Sequence, residues 1–133
     1  MDKLIIEPTP KTPYVVFDPE EHKFEISGRS LPENVIKTFD PVLKWIDNNF
    51  GDLNTEINFD FKVDYLNSAS AKMISLILTK LEDFYKDGQK ITVNWFYNTD
   101  DDDILSEGKL LASLKKVPIK LIAIEEDDEE DEE

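Results

Sequence analysis

The sequence contains no cysteine, a single histidine and four glycines that never stand close together. Without cysteine there is no disulfide framework, no thiolate nucleophile and no cysteine-based zinc site. That composition fits a reducing cytoplasm. His22 lies in a turn among acids, with no Ser or Cys at an informative spacing to make a nucleophile–base pair. It reads as an exposed turn residue. The glycines at 28, 51, 88 and 108 are too scattered for a phosphate-cradling loop. No apolar run approaches the ~20 residues that a membrane-crossing helix needs. Residues 1–7 lack the charged start and apolar stretch of a secretion signal. Lys and Arg are nowhere clustered, which disfavours nucleic acid, because phosphate contacts need grouped cations. The expectation is a cytoplasmic chain with neither membrane nor nucleic acid among its partners.

What is present is enough for one core. A chain of 133 residues with 40% hydrophobic residues, including eight Phe, four Tyr and two Trp, is about one domain long. The formal charge of −15 is unevenly spread: residues 125–133 are all acidic, and without them the body carries −6. So long a run of like charge repels itself, so residues 125–133 are expected to be a disordered acidic tail on a domain of residues 1–124. The tail reads as a solubilising extension; mimicry of nucleic acid or docking of a basic partner is the other reading.

Periodicity orders the elements. Tyr14-Val15-Val16-Phe17 and Phe24-Glu25-Ile26-Ser27 read as strands of a hairpin around Asp18-Pro19-Glu20-Glu21-His22-Lys23. Val35, Ile36, Phe39, Val42, Leu43, Ile46 and Phe50 form a helical stripe closed by Gly51. Pro41 inside it is expected to kink the helix or split off its first turn. From 55 to 65 the alternation is clean: Ile57, Phe59, Phe61, Val63 and Tyr65 face one side, polar residues the other. A second helix presents Met73, Ile74, Ile77, Leu81, Phe84 and Tyr85 and stops at Gly88; a strand through Ile91, Val93, Trp95 and Tyr97 follows. A third helix carries Ile104, Leu105, Leu111 and Leu114. In the last strand, Leu121-Ile122-Ala123-Ile124 suggests burial on both faces. The order β-β-α-β-α-β-α-β predicts an α/β domain, a single-layer mixed sheet of about five strands packed by about three helices, with parallel crossovers in its second half.

Two clusters invite chemistry. Asp100, Asp101, Asp102 and Asp103 suggest an acidic partner surface or a divalent-metal site. They fail the EF-hand pattern, since Ile104 stands where a ligand is needed and Leu105 where glycine is needed. Acids at a helix start are favoured by capping and the macrodipole in any case. The other cluster is Tyr65-Leu66-Asn67-Ser68-Ala69-Ser70, where strand meets helix. Asn67, Ser68 and Ser70 are all good caps, so plain capping is one reading. A switch is the other: a hydroxyl at a helix N-terminus is accessible, and unpaired N–H groups there can receive a phosphate.

Longer motifs add to this. Thr12-Pro13, Phe17-Asp18, Gly28-Arg29-Ser30-Leu31-Pro32-Glu33-Asn34, Phe39-Asp40-Pro41-Val42 and Trp45 are followed by Tyr65-Leu66-Asn67-Ser68-Ala69-Ser70-Ala71-Lys72. Then come Val93-Asn94-Trp95-Phe96-Tyr97, the acids at 100–103 and Glu107-Gly108. In order and spacing the chain resembles the SiaC-like regulatory phosphoproteins of bacteria over nearly all of residues 3–122. That family is similar in fold to STAS-type anti-sigma-factor antagonists. The resemblance implies a non-enzymatic protein without cofactor or metal, working in cyclic di-GMP and biofilm signalling. A cognate Ser/Thr kinase phosphorylates a helix-start hydroxyl and a PP2C-type phosphatase removes the phosphate. The bare form binds and activates a diguanylate cyclase. Against the family pattern Asn-Thr-Ser-Ser, Asn67-Ser68-Ala69-Ser70 places Ser68 at the acceptor position, with serine replacing threonine. Ala69 departs from the pattern and leaves Ser70 as the one competing hydroxyl nearby. The implied neighbourhood is Tyr65, Asn67, Ser70, Lys72 and Arg29. An acid-rich interaction or divalent-metal module without phosphorylation is the alternative.

Overall fold

A computed structural model describes residues 2–125; the acidic run from residue 126 onward, expected to be a disordered tail, lies outside the described residues. Six strands form one sheet, β1 (Leu4–Ile6), β2 (Tyr14–Asp18), β3 (Lys23–Ser30), β4 (Ile57–Leu66), β5 (Ile91–Asn98) and β6 (Ile119–Ile124), and they lie in the sheet in chain order. The pairs β1–β2 and β2–β3 are antiparallel, whereas β3, β4, β5 and β6 run parallel. The mixed sheet with three helices is the expected class. The strand beyond the expected five is β1, whose three residues are too few to show a period; Ile5 of β1 pairs with Val16.

Helices α1 (Val35–Asn49), α2 (Ser68–Lys86) and α3 (Asp102–Leu114) join successive parallel strands. The three crossovers step the same way along the sheet, so right-handed connections put all three helices on one face. That face holds the core. Phe17, Phe24, Trp45, Phe50, Phe59, Phe61 and Trp95 are buried there, with ring centroids of neighbouring pairs 5.2–6.3 Å apart. Fully burying one such side chain stabilises by roughly 1.5–3 kcal/mol. The other face is polar: Asn94 donates to Asp60 at 2.9 Å, and Lys62 pairs with Glu25 at 3.3 Å while lying over the Phe96 ring.

Several details differ from the periodic reading. Pro41 does not split off the first turn; α1 is unbroken from its Asn34 cap, whose side chain accepts from the Lys37 N–H. Pro41 is exposed, and so is Lys37, whose carbonyl loses its acceptor role to the missing N–H. Helix α1 then passes into a single 3₁₀ turn, Phe50–Asp52, that contains Gly51. Ile36, Tyr85 and Leu114 match the helical stripes yet are exposed, while Trp45 of α1 and Leu78 of α2 are buried in the core. Strand β6 is not buried on both faces; it is the edge strand beside the open face, with Leu121 and Ile122 half-buried and Ile124 exposed.

Close packing fixes α3. Trp95 donates its indole N–H to the Ile104 carbonyl at 2.9 Å. A Cβ at Gly108 would press into the Trp95 ring and come within 2.9 Å of Leu121, so only glycine lets α3 lie this near β5 and β6. Near the far end of α2, Glu82 accepts the Lys116 N–H. That hydrogen bond, helped by the charges of Lys86, Lys115 and Lys116 and opposed by burial, holds its carboxyl below its ordinary value. Among the described residues no helix is long and apolar enough to cross a membrane.

Candidate functional site

Parallel strands open their ligand sites beyond their carboxyl ends. Here β4 and β5 are neighbours, so the β4–α2 and β5–α3 junctions sit side by side. Between them lies a cleft of about 560 Å³. Tyr65, Asn67 and Ser68 line one wall, and Asp101, Asp103 and Glu107 the other, with Asp64 at the floor strand. No Lys, Arg or His is among the described residues lining it.

The three possible caps take separate roles. Asn67 is the N-cap of α2, in extended backbone, and its side chain accepts from the Ser70 N–H at 2.8 Å. Ser68 is the first helical residue and is exposed. At this first turn the Ser68 and Ala69 N–H groups have no intrahelical acceptor. Ser70 is fully buried, and its hydroxyl lies 2.7 Å from that of Ser30, the last residue of β3. The expected competition from Ser70 is therefore corrected: its hydroxyl faces the interior and is already hydrogen-bonded.

The end of β3 braces the junction. The Ser30 carbonyl accepts the Asn67 N–H at 3.0 Å, and the Arg29 guanidinium lies over the Tyr65 ring, 5.7 Å from its centroid. The register of β3 on β4 shifts between Gly28 and Arg29, where Gly28 has φ +91°, a conformation that suits glycine. The shift pairs Arg29 with Tyr65 and Ser30 with Leu66. Tyr65 continues the alternation of β4 in sequence but is 47% exposed, since the strand runs past the core.

Among the residues singled out from sequence, the cleft brings together Tyr65, Asn67, Ser68, Asp101 and Asp103. Arg29 stands behind Tyr65, and Lys72 is exposed one turn further along α2; neither lines the cleft. Asp101 caps α3, accepting the Ile104 N–H at 3.0 Å, and Asp102 and Asp103 occupy its first turn. All four acids, Asp100, Asp101, Asp102 and Asp103, line a second, shallow hollow beside Asn98, and Asp101 and Asp103 border both it and the cleft. Among the described residues no three His, Asp or Glu side chains converge to hold a metal ion. His22 is exposed in the hairpin turn, with φ +53°. Asp64 and Glu107 are cleft residues that periodicity did not single out; the adjacency of the two parallel junctions is the signal that joins them.

The geometry is that of a small α/β domain with an exposed hydroxyl at a helix start, open to partners at one end of its sheet. The SiaC family of regulatory phosphoproteins matches residues 6–124, and the chain belongs to that family. An uncharacterized protein of Pseudomonas aeruginosa (strain UCBPP-PA14) is 30% identical over 98 residues, covering 74% of this chain and 78% of that protein. Among solved structures, SiaC of Pseudomonas aeruginosa in complex with the diguanylate cyclase SiaD, which it activates, matches with a TM-score of 0.85. It is 25% identical, covering 91% of this chain and 99% of that one. The apo form of SiaC matches with a TM-score of 0.84 and 26% identity, over 92% and 100% of the two chains.

Proposed function

We propose that the protein is a non-enzymatic cytoplasmic switch, phosphorylated on Ser68 by a cognate Ser/Thr kinase and reset by a PP2C-type phosphatase. The bare form binds a signalling partner of the diguanylate cyclase class, as the similar SiaC of Pseudomonas aeruginosa does with SiaD. One observation carries the reading: at a helix start offering three capping side chains, Ser68 alone presents an exposed hydroxyl.

The charge of the cleft gives the switch its direction. Phosphorylation adds about −1.5 to −2 charges. The helix N-terminus tolerates a phosphate locally, through the free N–H groups of the first turn. Asp64, Asp101, Asp103 and Glu107 share the cleft, and no cation lines it. A partner covering the modified site would bury a dianion without a counter-charge, which is strongly unfavourable. Bare Ser68 imposes no such cost, so the unmodified form binds and the phosphorylated form is released.

Intact-mass measurement after incubation with the kinase should show one added phosphate on the wild type and none on Ser68→Ala. Equal modification of both proteins would sink the assignment. Ser68→Glu should weaken binding of the partner cyclase, less than phosphate does because a carboxylate carries less charge.

A further inference from the structure

Among the described residues, the buried polar side chains are Ser30 and Ser70, 1% and 0% exposed, and they meet each other 2.7 Å apart. Alanine at both positions would fill the same interior without burying hydroxyls that must be satisfied. The pair is also placed with respect to one residue. Ser30 holds Asn67 through its backbone carbonyl and Ser70 through its side chain. Asn67 in turn caps the Ser70 N–H and accepts the Ala71 N–H at 3.0 Å. Ser68 thus lies between two residues that are both tied to the end of β3.

Resting on the reading of Ser68 as acceptor, we infer that Ser30 and Ser70 are positioning residues, a clamp that presents the Ser68 hydroxyl in one orientation to the modifying kinase. Phosphoryl transfer to a folded substrate depends on where the nucleophilic oxygen sits, and displacements near 1 Å are costly. The clamp holds the backbone on either side of Ser68 and leaves the side chain itself free of intramolecular duty.

A double substitution separates positioning from stability. Removing one hydroxyl strands the other in the interior, so Ser30→Ala and Ser70→Ala should each lower the melting temperature and slow phosphorylation. The double variant, Ser30→Ala with Ser70→Ala, strands neither, and its melting temperature should return close to that of wild type. Its phosphorylation at saturating substrate should nevertheless stay about tenfold slower than wild type. Full recovery of that rate together with stability would overturn the clamp. In the wild type itself, the Asn67, Ser70 and Ala71 amides should be protected from hydrogen exchange; exchange at open-chain rates would equally overturn it. Ser68→Ala, run alongside, reports on the acceptor alone: loss of phosphate supports that reading, and retained phosphate overturns it independently of the clamp.

Discussion

Helices α2 and α3 start side by side at the carboxyl end of neighbouring strands, yet one first turn is neutral and the other acidic. Helix α3 is capped by Asp101 and carries Asp102 and Asp103 in its first turn. Helix α2 is capped by the neutral Asn67, has no acid in its first turn and begins with Ser68. A helix N-terminus bears about half a positive charge, which nearby anions offset. In α3 that offset is built permanently into the sequence. In α2 it is missing, and a phosphate on Ser68 would supply it. The pair therefore contrasts a helix start whose dipole is already offset by acids with one whose first turn carries none.

The sharpest attempt to break this contrast moves the hydroxyl. Asp102 is the first residue of α3, the counterpart of Ser68. Combining Ser68→Ala with Asp102→Ser should yield a protein that takes no phosphate by intact mass, since the β3 brace is absent there. One added phosphate would show that any helix-start serine at this end suffices. Next in size is Gly108→Ala, which drives a methyl into Trp95 and Leu121. It should destabilise by about 1–3 kcal/mol in urea unfolding, with α3 exchanging before α2.

The caps themselves sharpen the contrast. Asn67→Ala and Asp101→Ala should each cost about 1 kcal/mol. Only the Asp101 cost should shrink in about 1 M NaCl, where charge–dipole attraction is screened. Equal salt dependence would erase the distinction between a neutral and a charged start. The smallest effect lies toward the other end of α2. Because the Glu82 carboxyl is held below its ordinary value of 4.5, its stabilisation is complete above that pH and fades as pH falls toward the lowered value. Glu82→Gln should flatten the acid limb of the stability curve and leave phosphorylation unchanged.

Legibility in the sequence followed the range of the interactions. The alternation from Ile57 to Val63 and the helix start at 67–70 are local, and both were readable. Which of Asn67, Ser68 and Ser70 caps, and which is exposed, depends on Ser30, forty residues earlier, and no local rule reports it. Ile36 and Leu114 satisfy the 3.6 period but stand at the first turn of α1 and the last residue of α3, where a helix end runs beyond what it covers, and both are exposed. The apolar run of β6 suggests an inner strand; an edge position with one open face cannot be read from composition. Asp64 and Glu107 enter the site only once the sheet order makes the β4 and β5 junctions neighbours.

That sheet order has a consequence for how the molecule is made. Because each strand lies beside the one synthesised before it, no strand waits for a partner still unmade further along the chain. The sheet can lengthen one strand at a time as the chain leaves the ribosome, each parallel addition bringing its covering helix with it. The β3–β4 brace around Ser68 is then in place before α3 exists, so one wall of the cleft is set ahead of the wall that faces it.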